Sequence, residues 1–420
     1  MKIVIIGAGV SGLVAARILS RDHEVHVYEA GNYAGGHANS VDVELGGKHF
    51  VADTGFMVFN DRTYPMFSRL LQILGTPARD SHMSFSVRCE QTGIEYQGSS
   101  LRGLFAQPRN ALRLSFYRML ADIARFNRRS RKFAAARDTE ISLGQFVEQG
   151  NYGQRFCHQY LIPMIAAIWS ARPSSVFDFP AIFMIRFLEN HGLLQVCDRP
   201  TWKTIPGGSR SYLQSLIAPF RDRIRFGTPV KSISRHANHV AIESAGCRER
   251  FDVAILATHA DQSLKMLADA DEVERSVLGG FSYQTNEAVL HTDVSMLPRR
   301  RRAWASWNYR VTASADQPAS VTYDLSRLQG IDSPQPILLT LNPAASIDSA
   351  KILRHFTYRH PIFSLDSIAS QRRFAAMNGR RGTYFCGAYR FNGFHEDGVA
   401  SALEVGAHFG KGIEDAKLPI

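Results

Sequence analysis

Near the start of the chain, Gly7, Gly9 and Gly12 fall in the run Gly7-Ala8-Gly9-Val10-Ser11-Gly12, directly after the apolar Ile3-Val4-Ile5-Ile6. Each glycine meets a separate steric demand of a dinucleotide turn. A side chain would block the tight turn at the first, the approach of a pyrophosphate at the second, and helix–strand contact at the third. The phosphates, with Val10 and Ser11 beside them, would lie at a helix N-terminus, where free N–H groups and the macrodipole favour negative charge. Glu29, followed by Ala30, stands about 20 residues on at the end of the next apolar stretch, where a carboxylate reaches a ribose hydroxyl. The glycines alone could make nothing more than a tight strand–helix turn. The position of Glu29 favours dinucleotide binding, and this motif fits NAD as well as FAD.

Other chemistries find less support. His395-Glu396-Asp397 are adjacent, and three adjacent side chains do not converge on one ion from an ordinary turn, so no metal is expected. The five cysteines, Cys89, Cys157, Cys197, Cys247 and Cys386, form no C-x-x-C pair and are odd in number, which suggests neither a zinc ribbon nor a disulfide framework and favours a reducing compartment. No Ser-His-Asp or Cys-His signature stands out, and no catalytic residue is assigned.

The elements that must position the glycine turn follow from hydrophobic period. Residues 2–12 read as a buried strand running into the turn, 13–20 as a helix and 24–29 as a second strand, an opening βαβ unit. From 75 to 201 the pattern is helical, with Leu112, Phe116, Met119, Leu120, Ile123 and Phe126 recurring on one face. Short strands return at 223–226, 230–234, 240–244 and 251–257, and a second strand-rich insertion covers 288–341. The apolar Tyr384, Phe385 and Cys386 then precede Gly387, and a helix is expected to start near Gly398.

A chain of 420 residues, 45% hydrophobic and 21% charged, can bury two substantial cores. Its net charge of +11 favours anionic partners: nucleic acid, anionic lipid or an acidic substrate. Nucleic acid is disfavoured because the arginines are not interleaved with a reader motif. No secretion signal or membrane span is evident, the nearest apolar stretch, 160–171, being interrupted by Pro163. The protein is expected in the cytoplasm, peripheral at the inner face of the membrane.

Beyond the first motif, Gly35-Gly36-His37-Ala38-Asn39-Ser40 and Asp53-Thr54-Gly55-Phe56 resemble the flavin-containing amine oxidase and phytoene desaturase superfamily. The resemblance implies that Gly35 and Gly36 bring backbone amides to the FAD diphosphate, and that Gly55 and Phe56 lie near the ring. His37 stands where an arginine is usual. Three later runs are similar to the same family. Ile205-Pro206-Gly207-Gly208-Ser209 matches its P-x-G-G turn. Residues 251–258 match a D-x-V-I-x-A-T strand whose end, Ala257-Thr258, faces the nucleotide, with Val230 upstream on the adenine side. Residues 383–402 match the terminal strand, Gly387 and the following helix start. In the resemblance the amides of Gly398 and Val399 meet the flavin N1/O2 edge, Asp397 caps the helix, and Cys386 ends a strand away from the ring, so that FAD is non-covalent.

The resemblance implies an α/β fold: a Rossmann-like FAD-binding domain assembled from discontinuous segments, 1–75, 205–270 and 375–420, with an amine oxidase-like α+β substrate domain inserted as 76–204 and 271–374. It also extends to bacterial predicted NAD/FAD-binding proteins similar to the N-terminal extension of plant cyclopropane-fatty-acid synthases, on Ala303-Trp304-Ala305-Ser306-Trp307-Asn308-Tyr309 and Asn190-His191-Gly192-Leu193-Leu194. The implied function is an FAD-dependent oxidoreductase acting on an apolar acyl lipid as a desaturase, oxidase or isomerase, with Trp304, Trp307, Tyr309, Tyr389 and Phe394 lining the substrate chamber. Amine oxidation and non-catalytic flavin or lipid binding are the alternatives. No lysine falls in a motif matching the lysine that amine oxidases hold over the flavin, which disfavours the first of these. The electron acceptor is not assigned. A stripe such as 112–126 is more often a core-facing helix and its arginines a solvated face; the resemblance brings in the second expectation, that Arg125, Arg128 and Arg129 meet an anionic membrane.

Overall fold

The computed structural model describes residues 1–134, 141–195, 199–312, 319–343 and 345–417. Cys197 lies outside them, and Cys89, Cys157, Cys247 and Cys386 are free thiols.

The chain opens with β1 (Lys2–Ile6), α1 (Val10–Leu19) and β2 (Glu24–Tyr28). β1 is the middle strand of a five-stranded parallel sheet ordered Thr383–Phe385, Val253–Leu256, β1, β2, Ile224–Arg225. A parallel strand covered on both faces has no polar side to show, which is why Ile3, Val4, Ile5 and Ile6 form an unbroken apolar run. One face packs on α1 and the C-terminal helix His395–Ala407 through Leu13, Ile18, Val399 and Val405. The other packs on Ile233, Phe251 and Leu278.

The strand expected over 251–257 divides at Asp252. Cys247–Phe251 joins Val230–Arg235 and Val240–Ser244 in a three-stranded antiparallel sheet, whereas Val253–Leu256 enters the parallel one. Asp252 makes the switch by clasping the first residue of β1: its amide donates to the Lys2 carbonyl at 2.8 Å and its carboxylate accepts from the Lys2 amide at 2.7 Å.

After β2, the hairpin of β3 (Ser40–Leu45) and β4 (Lys48–Asp53) turns at Gly46-Gly47, both with positive φ, and α2 (Pro65–Ile73) follows. A seven-stranded sheet gathers strands from 85–97 and 282–362. It is antiparallel except where Trp307–Val311 pairs in parallel with Phe85–Cys89. Against it lie α3 (Leu101–Leu104), α4 (Leu114–Ala134), α5 (Leu143–Gly150) and the helices Ile162–Trp169 and Ala181–Asn190.

In α4, Phe116, Met119 and Phe126 are buried in the core, with Leu120 and Ile123 packed at the edge. Arg125 is bound to Asp122 and the Asn151 carbonyl and lies over the Tyr152 ring. Arg129 bonds the Phe146 carbonyl and lies over the Phe146 ring. These two arginines fasten α4 to α5 and the loop beyond it, while Arg125 and Arg128 remain exposed. No described helix is long and apolar enough to cross a membrane.

Candidate FAD site

The glycines of the first turn differ in what requires them. Gly7 has φ +104°, and a Cβ there would stand 2.8 Å from the Ala257 carbonyl oxygen; one at Gly12 would stand 2.0 Å from the Gly7 carbonyl oxygen. Gly9 has an ordinary φ of −75°, and an added Cβ would meet no atom within 4 Å. The protein's own packing therefore does not demand a glycine at 9, which leaves the approach of a ligand as the reason for it. Next to it comes the second turn. The Gly35 amide donates to the Ala8 carbonyl at 2.7 Å, and a Cβ on Gly36 would lie 3.3 Å from the Gly9 Cα.

Glu29 closes the cradle. Its Oε2 accepts from the Ala8 amide and its Oε1 from the Gly31 amide, both at 2.7 Å. A carboxylate accepts about four hydrogen bonds, so both oxygens keep capacity for a ribose hydroxyl. Ala30 is exposed beside it, and Val230 starts a strand in the core that also holds Tyr28. Ala257 donates to the Ile6 carbonyl, and Thr258 places Oγ1 2.9 Å from Ser263 Oγ.

His37 sits in a group of rings that the sequence did not bring together. It lies 5.1 Å from Tyr358, 5.3 Å from His360 and 6.0 Å from His259, and its Nε2 is buried without a hydrogen-bond partner, as is His259 Nδ1. Burial lowers the pKa of all three imidazoles, so the position usual for an arginine carries a neutral donor here. His259 follows directly on the A-T strand end and could have been read from it. Tyr358 and His360 share a strand face, but no local pattern links them to His37.

Asp53, in the D-x-G segment, is buried and joins two motifs far apart in sequence. Its carboxylate accepts from Ser40 Oγ at 2.5 Å and from the Ser209 amide of the P-x-G-G-S turn. Gly55 packs on the His37 carbonyl, where a Cβ would come within 2.1 Å, and Phe56 stacks on His395 at 3.8 Å.

The C-terminal helix begins at His395, three residues before Gly398. This moves the free amides. Gly398 already donates to the Phe394 carbonyl at 3.1 Å, and Val399 lies further inside the ladder with its side chain in the core, so neither amide is available to a flavin edge. The N–H groups without intrahelical carbonyls belong to His395, Glu396 and Asp397. Gly398 has another reason to be glycine: a Cβ there would meet Val10 Cγ1 at 2.6 Å and Ser11 Oγ at 3.1 Å, where this helix crosses α1. Asp397 does cap, from the third helical position, by accepting from the Phe394 amide at 2.8 Å. Its neighbours diverge: His395 Nε2 meets the Tyr212 hydroxyl at 2.7 Å, and Glu396 accepts from the Met66 and Phe67 amides at the start of α2. The Gly387 amide donates to Ser401 Oγ, and Cys386 is fully buried with its thiol pushed up to about 12 by desolvation.

The expected chamber residues separate. Tyr389 packs with Phe281 and Phe374 on the far side of the parallel sheet, because the chain turns back across that sheet after Gly387. Trp304 donates to the Pro298 carbonyl and lies under Arg301, bracing its own loop. Trp307 and Tyr309 share one face of a strand in the core of the seven-stranded sheet, with Trp307 edge-on to Tyr323. Phe394 alone lies at the seam between the two cores, stacked on Phe187 at 4.8 Å and edge-on to Trp169. His191 completes this seam by stacking on Phe187 at 3.8 Å, its pKa lowered to about 4 by burial. Phe187 and Trp169 carry no motif and were missed.

Residues 10–290 match the family of flavin containing amine oxidoreductases. A protein of Mycobacterium tuberculosis named as a flavin-containing monoamine oxidase is 26% identical over 260 residues, 58% of this chain and 54% of the relative. The match thus spans about half the length of the curated relatives. Among solved structures, the CLA-producing fatty acid isomerase from P. acnes superposes with a TM-score of 0.70 at 16% identity, covering 97% of this chain and 98% of that one. Cyclohexylamine oxidase from Brevibacterium oxydans gives 0.70 at 14% identity, covering 98% of both.

The chain belongs to the flavin-containing amine oxidoreductase family, and its cofactor is non-covalent FAD. The residues present fit that group, since the open approach at Gly9 and the unpartnered His37 Nε2 adjoin the turns where a diphosphate is held. FAD supplies a hydride acceptor at N5; the protein supplies orientation and exclusion of water.

Proposed function

We propose that this chain is an FAD-dependent oxidoreductase of an unsaturated or modified fatty-acyl lipid. The observation that carries this reading is the uncharged aromatic seam of Phe394, Phe187, Trp169 and His191 at the junction of the two cores. Such rings hold an apolar chain and exclude water, and a histidine lowered to about 4 stays neutral there. FAD, held at the turns around Gly9 and Gly36, would supply the hydride acceptor, while Phe394, Phe187, Trp169 and His191 would hold the acyl chain and keep water away. The first-turn amides of His395, Glu396 and Asp397 give the site its positive helix end.

Amine oxidation is the second reading, favoured by the similarity to the Mycobacterium tuberculosis protein. Against it stands the placement of the lysines. The three that are not exposed are engaged elsewhere: Lys2 over Phe251, Lys203 with Asp61, and Lys411 with Asp22. Anaerobic mixing with dispersed phospholipid should leave an altered acyl chain by mass spectrometry, with the flavin bleached in a desaturation or oxidation and still oxidised at the end of an isomerisation. Bleaching by a soluble amine, with no acyl lipid altered, would replace the lipid reading with the amine one.

A further inference from the structure

The three most exposed large apolar side chains among the described residues are Leu101, Leu112 and Leu114, at 74%, 87% and 88% exposure, and Tyr117 nearby is 45% exposed. Scattered apolar residues on a surface need no explanation, but a cluster does. These four lie on a single elbow formed by α3, the turn Pro108–Leu112 and the start of α4. The Phe105 ring is 6.2 Å from Tyr117, and its amide bonds the Leu101 carbonyl, so the two ends of the elbow are fastened together. The Tyr117 hydroxyl donates to the Ala111 carbonyl. Beneath, Phe105 and Phe116 contact each other and anchor the elbow to the core.

Charge surrounds this patch with one sign. Residues 96–121 contain no Asp or Glu and carry Arg102, Arg109, Arg113 and Arg118. A second segment, nearly two hundred residues away in sequence, adds the run Arg299 to Arg302, all exposed. Its placement is built: Glu95 accepts from the Arg299 and Arg300 amides at 2.9 and 3.0 Å, and the turn Arg301–Ala303 packs against α3. Exposed leucines ringed by arginines match a bilayer interface, where apolar side chains enter the acyl boundary and cations meet anionic headgroups.

We propose that the elbow of Leu101, Leu112, Leu114 and Tyr117, with the arginines of both segments, docks the protein on an anionic phospholipid surface. Docking deepens the lipid reading by giving its substrate a source, yet it rests on the surface alone and does not depend on that reading.

The test is co-sedimentation of the FAD-loaded protein with phosphatidylcholine vesicles, with and without phosphatidylglycerol. Binding is expected only with phosphatidylglycerol and should fade as salt rises. Leu112→Ser and Leu114→Ser should each weaken it on the order of tenfold, and Arg300→Ser and Arg302→Ser about fivefold each. All four side chains point to solvent, so flavin content and melting temperature should hold. No binding by the unaltered protein at low salt, or undiminished binding by these variants, overturns the proposal. So does a concentration-dependent dimer that the leucine variants abolish while vesicle binding stays absent, since the patch would then join two copies. Flavin bleaching by detergent-dispersed lipid is measured separately, so the docking and the substrate reading can fail independently.

Discussion

Asp53 accepts from the Ser209 amide at 2.9 and 3.2 Å with its two carboxylate oxygens, and so ties the D-x-G segment to the P-x-G-G-S turn across 156 residues of sequence. Ser40 Oγ approaches the same carboxylate, and Gly208, at φ +81°, leaves room for both: a Cβ there would lie 2.7 Å from Ser40 Oγ. Two motifs of the sequence are thus parts of one hydrogen-bonded knot under the cofactor cradle.

Asp53→Ala should destabilise the protein by about 2 to 4 kcal/mol, because it strands the buried Ser209 amide and Ser40 hydroxyl. Asp53→Asn keeps an acceptor and should cost less. Urea unfolding of the two variants decides the matter, and equal stabilities would mean that the knot does not bear on folding.

Gly9→Val should contain no flavin and fold at a cost of about 1 kcal/mol for the weaker N-cap, since an added Cβ there meets no protein atom within 4 Å. Gly12→Val is the contrast. There even a Cβ meets the Gly7 carbonyl oxygen at 2.0 Å, so the chain itself should be destabilised. Calorimetry and the absorbance spectrum separate these outcomes.

Gly398→Leu should destabilise folding by about 1 to 3 kcal/mol through overpacking against Val10 and Ser11. Because the Gly398 amide is spent on Phe394, any loss of flavin reduction should follow from displacement of the helix. A variant with unchanged stability and slowed reduction would return the amide to the flavin edge.

What could be read from the sequence follows from range. The βαβ opening, the glycine turn and the answering Glu29 are local; the parallel sheet bears out the βαβ unit, and the Glu29 carboxylate accepts from the Ala8 amide within the turn. The resemblance puts the start of the last helix near Gly398. The boundary lies at His395 because the Asp397 carboxylate reaches back to the Phe394 amide, a cap visible only when the turn is seen in space. Tyr389 and Phe394 are both aromatic candidates for a chamber, yet Tyr389 packs in the core on the other face of the sheet, with Phe281 and Phe374. The His37, His259 and His360 group and the Phe187 and Trp169 seam arise from segments that only tertiary packing brings together, and no short-range pattern announces them.

Acidification should unfold the protein through its buried imidazoles, and His395 gives the clearest case. Stacked on Phe56 and bonded to Tyr212, it has its pKa lowered by burial to about 3. The unfolded chain therefore binds this proton first. The contribution is fully present above about pH 6.5 and falls by about 1.4 kcal/mol per unit as pH drops toward 3. His191, lowered to about 4, acts in the same sense. Asp53 and Asp397 oppose it: burial raises them to about 6 and about 7, so each contributes stability at low pH that is lost as pH rises through those values. His395→Phe keeps a ring against Phe56 but leaves the Tyr212 hydroxyl without its partner, which should cost about 1 to 3 kcal/mol at neutral pH. It should also flatten the acid limb of stability by up to one proton, with the remaining slope carried by His191 and the other buried histidines. Urea unfolding of both proteins across the acid range measures that difference, and parallel curves would show that His395 is already charged in the folded state.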